Sequence, residues 1–168
     1  TLFPEIVYET GVDAVCRGDG EIPMLELVNA IEQGVDYLHI NNIWVKKNKR
    51  IYKNEVAPFS VNIDEISYPK RSIFDHYRHY YKLKRRHVLT TRGCPFKCTY
   101  CHMDAIRKAL GVHNARVHQR SVENVIAELM DIKQKYKPKQ IKFLDDTFFK
   151  KKNKKINFIH IWKIYFCI

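Results

Sequence analysis

Residues 90–102 read TTRGCPFKCTYCH and place Cys94, Cys98 and Cys101 in the spacing C-x3-C-x2-C directly after an apolar, strand-like run. No other stretch of the chain limits its fold so tightly. Three thiols this close together at the end of a strand form a loop suited to holding metal. Three thiolates are soft ligands for an iron–sulfur cubane with one iron left open, whereas a closed structural zinc site takes four ligands. Cys94, Cys98, Cys101 and His102 as a zinc knuckle, or idle reduced thiols, stand as the alternatives. Adjacent Cys101 and His102 are poorly arranged to face one tetrahedral ion, and no second C-x2-C pair completes a zinc ribbon.

With Tyr100 before the last cysteine, the loop resembles the signature of the radical S-adenosylmethionine (SAM) superfamily. The resemblance implies a [4Fe-4S] cluster on Cys94, Cys98 and Cys101, whose fourth iron is chelated by the amino and carboxylate groups of SAM. It further implies reductive cleavage of SAM to a 5'-deoxyadenosyl radical that abstracts hydrogen, with Tyr100 beside the adenine. An electron donor is a required partner.

Five cysteines without a signal peptide, three of them clustered, indicate a reducing compartment and a cytoplasmic address. No run of about 18 apolar residues predicts a membrane span. The net charge of +12 is unevenly placed: residues 1–40 hold one basic residue, Arg17, against eight acidic ones. A basic remainder can serve nucleic acid, but no RNA-binding motif accompanies it, and solvated lysines are the favoured reading.

Along the chain, residues 12–16 predict a strand and 17–21, RGDGE, a glycine turn. A helix follows from Pro23, with Leu25, Leu27, Val28 and Ile31 at helical spacing up to Gly34. Alternation over 37–45 predicts a strand that turns at 46–49 into a hairpin with 50–53. Residues 54–86, broken by Pro58 and Pro69, read as a linker with an aromatic, basic surface helix over 76–86. The strand over 87–91 then leads into the cysteine loop. A short helix over 103–110 ends at Gly111. Ser121 N-caps a helix carrying Val122, Val125, Ile126, Leu129, Ile132 and Tyr136 on one face, and Pro138 ends it. A second parallel strand over 140–144 completes a βαβ unit.

This order, with VDAVCRGDGE at 12–21, the 43–53 hairpin, Ile63-Asp64-Glu65-Ile66 and Tyr68-Pro69, resembles the subfamily in which a cobalamin-binding domain precedes the radical SAM barrel. The family commonly has Glu at the position of Asp19. Its upstream DxHxxG motif has no match here. The fold class implied is α/β: the C-terminal part of a Rossmann-like cobalamin-binding domain over 1–55, a linker over 56–86, and the start of a radical SAM (β/α) partial barrel over 87–149. A Lys-rich, hydrophobic tail outside the family pattern fills 150–168. From His87 only 82 residues remain, against on the order of 200 or more for a (β/α) barrel, so the barrel is expected not to close and the chain to be a fragment.

Asp145, Asp146 and Thr147 fall at the carboxyl end of the second strand, where such folds place active sites. They are expected to line the SAM pocket by accepting its ammonium, or else to be turn residues. Gly18, Gly20 and Glu21 are expected at the edge of a cobalamin site. No protein acid or base is nominated, because the cofactors carry the difficult chemistry. The implied function is a cobalamin-associated radical SAM enzyme performing methyl transfer or cyclisation on a small molecule. The alternatives are a methylthiotransferase acting on transfer RNA, a zinc- or nucleic-acid-binding module, and an inactive truncated remnant.

Overall fold

The computed structural model describes residues 3–58, 62–77, 84–111 and 117–147. The tail over 150–168 and the centre of the helix expected at 76–86 lie outside the described residues. Among these, the chain groups into two compact units, one holding 3–58 and 97–111, the other 62–77, 84–96 and 117–147.

The first unit opens with a 3-10 turn, Pro4–Tyr8, followed by β1 (Ala14–Cys16), helix α1 (Glu21–Gln33), β2 (Ile43–Lys47) and β3 (Arg50–Lys53). The three strands pair antiparallel in the order β1-β2-β3. An α/β fold is thus observed, while the described sheet of this unit is antiparallel in place of a parallel Rossmann-type one. Helix α1 begins two residues before Pro23 and ends where expected, with Gly34 in the left-handed region at φ 66° and its N–H bonded to the last carbonyls. Its packing face differs from the expectation. Leu27 and Ala30 are buried, whereas Leu25, Val28 and Ile31 are exposed, because the small sheet covers only one narrow stripe of the helix. Leu27, Ile43 and Val45 form the core with Tyr37, Leu38 and Ile40 against them.

The expected strand over 37–45 is shortened to Ile43–Lys47, and 37–42 runs as turns. Asn42 is the reason. It is buried at φ 68°, its amide oxygen takes the N–H of Ala57, and its carbonyl takes the N–H of Arg17. Alternating apolarity at 37–41 reflects side chains packed on the core from a loop. The hairpin forms as expected. Asn48 and Lys49 both have positive φ (51° and 63°), the signature of a two-residue type I′ turn, whose twist matches the flanking strands.

In the second unit β4 (Arg85–Val88) pairs parallel with β7 (Gln140–Phe143), and helix α3 (Val122–Tyr136) crosses between them, which makes the expected βαβ unit. The expected single strand over 87–91 is two pieces. β4 starts at Arg85 and stops at Val88, and β5 (Thr91–Arg92) pairs antiparallel with β6 (His118–Gln119). Ser121 caps α3 as read, accepting the N–H of Asn124 at 3.1 Å. Val88, Val125, Leu129 and Ile132 are the core, with Tyr136, Ile141 and Phe143 on its border. Val122 and Ile126 are only half-buried.

Residues 62–77, read from sequence as part of a linker, group with this unit. They form 3-10 turns at Ile63–Glu65 and Arg71–Phe74 and strap onto the start of α3. Asp64 receives the N–H of Ser121 at 2.9 Å, a carboxylate at the positive end of the helix dipole. Tyr68 donates its hydroxyl to the Asn124 carbonyl. Glu128, buried in α3, accepts from Arg71 at 2.6 Å and from Arg120, and the same two arginines donate to the carbonyls of His87 and Leu89.

Candidate cluster and cofactor site

The carboxyl ends of β4 and β7 lie side by side because the two strands are parallel and in register from Arg85 and Gln140 to Val88 and Phe143. Leu144 donates its N–H to the Val88 carbonyl, the last rung of this ladder. Beyond it the carboxylate of Asp145 takes over. One oxygen, Oδ1, accepts the N–H of Thr90 at 2.7 Å, the Thr90 hydroxyl at 2.9 Å, the Thr91 N–H, and the Thr91 hydroxyl at 2.9 Å. The Thr91 hydroxyl also lies 2.8 Å from the Thr147 carbonyl. It has one proton, so the two acceptors share it. Thr90 and Thr91 are buried, Asp146 is exposed, and the second oxygen of Asp145 is buried with no hydrogen-bond partner among the described residues. Of the three residues read as pocket-lining, Asp145 is therefore engaged with the strand end, while Thr147 contributes its carbonyl to the same junction.

After β5, Gly93 takes φ 86°, a backbone that glycine alone adopts without strain, and the chain turns into Cys94. The division between the compact units falls within the loop, so Cys94 groups with the second unit and Cys98 and Cys101 with the first. All three thiols are half-buried and none is in a disulfide. The N–H of Cys101 bonds the Cys98 carbonyl at 3.0 Å, closing a turn that carries Tyr100, 91% exposed, at its outer corner. Cys101 is itself the N-cap of helix α2 (His102–Ala109), with extended backbone and no side-chain cap bond. Among the described residues no three Cys, His, Asp or Glu side chains gather around one point as a metal group.

The donor set nevertheless fits an iron–sulfur cluster. Three thiols, none of them in a disulfide, fall within eight residues of the sequence, and soft sulfur ligands are what such a cluster takes. Asp104 in the first turn of α2 pairs with Lys108 at 2.9 Å and Arg107 at 3.2 Å, which hold its carboxyl below the usual carboxylate range, the Lys108 hydrogen bond foremost.

Gly18 and Gly20 lie on the turn between β1 and α1. A Cβ on Gly18, at φ 74°, would stand 3.3 Å from both the Asn42 amide and Val56. Asn42 donates to the Asp19 carbonyl and shapes this turn from across the unit. Glu21 is the first residue of α1. Beside the turn lies Arg17, to which the sequence assigns no role of its own. It stacks on Trp44, with 5.1 Å to the ring centroid, and donates to the Ala109 carbonyl at the end of α2. Nothing in the local sequence signals that bond, 92 residues apart. Burial raises the pKa of the neighbouring Cys16 thiol.

No helix among the described residues is long and apolar enough to cross a membrane. No family model matches the chain. It is 34% identical over 162 residues to an uncharacterised methyltransferase of Pyrococcus horikoshii, across 94% of this chain and 34% of that protein. It is 30% identical over 108 residues to the anaerobic magnesium-protoporphyrin IX monomethyl ester cyclase of Rubrivivax gelatinosus, across 60% of this chain and 19% of the cyclase. Among solved structures, the cobalamin-dependent SAM radical enzyme OxsB with aqua-cobalamin bound superposes with a TM-score of 0.65 at 24% identity, covering 88% of this chain and 20% of that one. The radical SAM methyltransferase TsrM of Kitasatospora setae, with cobalamin and a [4Fe-4S] cluster bound, gives 0.61 at 18% identity, covering 88% of this chain and 29% of that one. The chain thus spans about a third of the first of these proteins and less of the others. The chain is thus related in sequence to a methyltransferase and to magnesium-protoporphyrin cyclases, and it shares its fold with TsrM and OxsB.

Proposed function

We propose that this chain carries the cluster-binding part of a radical SAM enzyme that works with cobalamin in methyl transfer or cyclisation of a small molecule. The observation that carries the reading is the cysteine loop itself: C-x3-C-x2-C between a strand end and a helix N-terminus, with no disulfide in it. Cys94, Cys98 and Cys101 would hold a [4Fe-4S] cluster. When bound, the cluster supplies the electron for reductive cleavage of SAM, delivered to it by an external donor.

The chain's own residues bind and orient. Tyr100, exposed at the loop corner, offers a ring for the adenine. Asp146 and Thr147, at the end of β7, offer a carboxylate and a hydroxyl for the SAM ammonium. Gly18, Gly20 and Glu21, on the turn between β1 and α1, would stand at the edge of a cobalamin site, Gly18 serving the turn itself, where a side chain would meet Asn42 and Val56. The bonds of Arg17 to α2 and of Asn42 to Asp19 tie that turn to the rest of its unit.

The test is anaerobic reconstitution with iron and sulfide, followed by metal analysis and absorption spectra with and without SAM. About four irons per chain and a SAM-dependent spectral change are expected, both abolished when Cys94, Cys98 and Cys101 are replaced by Ala. Zinc taken up in preference to iron, or iron retained by the triple variant, would overturn the reading.

A further inference from the structure

We infer that Asp145 is a positioning residue for the cysteine loop: by pinning Thr90 and Thr91 to the end of β7 it sets the point from which Gly93 and Cys94 depart. The inference deepens the proposed function and rests on it for the role of Cys94 as a ligand.

The strand end needs such a device. The β4–β7 ladder stops at the bond from Leu144 to Val88, and the chain still has to carry a buried Thr90 and a buried Thr91 to the loop. Their backbone N–H groups and hydroxyls all converge on one carboxylate oxygen. A carboxylate accepts such bonds more strongly than a neutral oxygen does. On the other side, β6 pairs with Thr91 and Arg92, and Arg120 donates its N–H to the Thr90 carbonyl. Residues 90–92 are thereby held from two directions immediately before the glycine that turns the chain. Because Thr90 and Thr91 are buried, their donors cannot turn to water if the carboxylate is removed. The segment must then shift, and Cys94, three residues beyond Thr91, shifts with it. The hydrogen bonds of Asp145 among the described residues go to the two threonines, so its effect on the loop passes through their backbone.

The assignment divides work among neighbours that the sequence presents as equivalent. Asp145 faces the strand end with Oδ1, and Asp146, which is exposed, is the carboxylate left for a ligand.

The experiment uses the whole chain, anaerobic and metal-free, and measures the alkylation rate of Cys94 relative to Cys98 by peptide mass mapping. Asp145→Ala is compared with Asp145→Asn, whose amide oxygen accepts the same bonds. Val125→Ala, a cavity in the core beneath, controls for lost stability. The expected result is a several-fold change in the Cys94/Cys98 ratio in D145A, a ratio near that of the parent chain in D145N, and no change in V125A at comparable loss of thermal stability. A D145A ratio equal to that of V125A, or a D145N ratio as far displaced as that of D145A, overturns the inference. If D145A does not fold, the Thr90→Val/Thr91→Val double variant keeps shape and removes both hydroxyl donors. A smaller change of the ratio in the same direction is then expected, and an unchanged ratio overturns the inference. Reconstitution separates this from the proposed function. Failure of the parent chain to take up iron refutes the function and leaves the ratio readable, whereas equal iron uptake by D145A and the parent refutes the positioning role alone.

Discussion

Replacing Glu128 by Ala tests whether the strand end feeding the cysteine loop is held by a buried charge network. The Glu128 side chain is 1% exposed, and those of Arg71 and Arg120 are 9% exposed each, so solvent screens none of the three effectively. One carboxylate serves two guanidinium groups. Truncating it removes two charge-assisted bonds, each worth about 1.5–3 kcal/mol, and leaves two buried cations with carbonyl and amide partners. Breaking a buried pair from one side costs about 3–5 kcal/mol, in line with that sum. For a chain of this size such a loss lowers Tm by about 6–20 °C. Thermal unfolding followed by circular dichroism, with hydrogen exchange at residues 86–90 read alongside, is the assay. Glu128→Gln keeps shape and one acceptor and should lose roughly half as much. A drop of less than about 1 kcal/mol in E128A would refute the reasoning, because it would mean that both arginines reach water in the folded state.

Two further substitutions or conditions probe the other unit. Lys49 occupies the left-handed region at φ 63° in the β2–β3 turn, so Lys49→Gly, giving Asn-Gly, should stabilise the hairpin by about 0.5–1 kcal/mol, read from urea midpoints. A destabilised hairpin would contradict the type I′ assignment. The Asp104 carboxyl has its pKa lowered by Lys108 and Arg107, so its contribution to helix α2 is complete above the ordinary carboxylate value of 3.8 and is lost as pH falls below it. The pair is exposed, so the loss should be small and should shrink with added salt. An acid loss of helicity that is insensitive to salt would speak against the pair, and an Asp104→Asn chain should lack this component altogether.

Much of the fold was legible because its signals are local. Ser121 and Pro138 bracket α3 within a residue or two, Gly34 ends α1, and Gly111 follows α2, since caps and breakers act through the backbone of their immediate neighbours. The cysteine loop was legible for the same reason. What failed was information carried across the chain. The 37–41 alternation reads as strand, yet Asn42 at positive φ and its bonds to Ala57 and Arg17 commit the segment to a turn. The apolar spacing of α1 is helical, but which stripe is covered depends on a sheet too small to cover it all, and so Leu25, Val28 and Ile31 stay exposed. The linker read from Pro58 and Pro69 becomes a strap because Asp64, Tyr68 and Arg71 find partners on α3 between 56 and 57 residues away.

The same distinction separates the two halves of the candidate site. The thiols can be named from their spacing alone, but the hold on the strand end that precedes Cys94 comes from a residue just beyond the second strand of the βαβ unit. Asp145 meets Thr90 and Thr91 across 54 or 55 positions, and that meeting exists only because β4 and β7 are parallel and in register. A carboxylate next to the end of a barrel-type strand invites a ligand-binding role, and of the two neighbours it is Asp146 that is exposed. Yet a parallel pair whose ladder stops at Val88 leaves buried N–H groups that need an acceptor within reach, and a short acidic side chain on the adjoining strand end is the simplest group that meets the need. Thr91→Val distinguishes the contributions within the clasp. It removes one hydroxyl proton already shared between Asp145 and the Thr147 carbonyl, while both backbone donors remain. The expected loss of stability is at most about 1 kcal/mol, well below that of D145A in the same urea titration. Equal losses would place the weight of the clasp on the hydroxyl instead of the backbone and would weaken the case that the carboxylate steers the chain into Cys94.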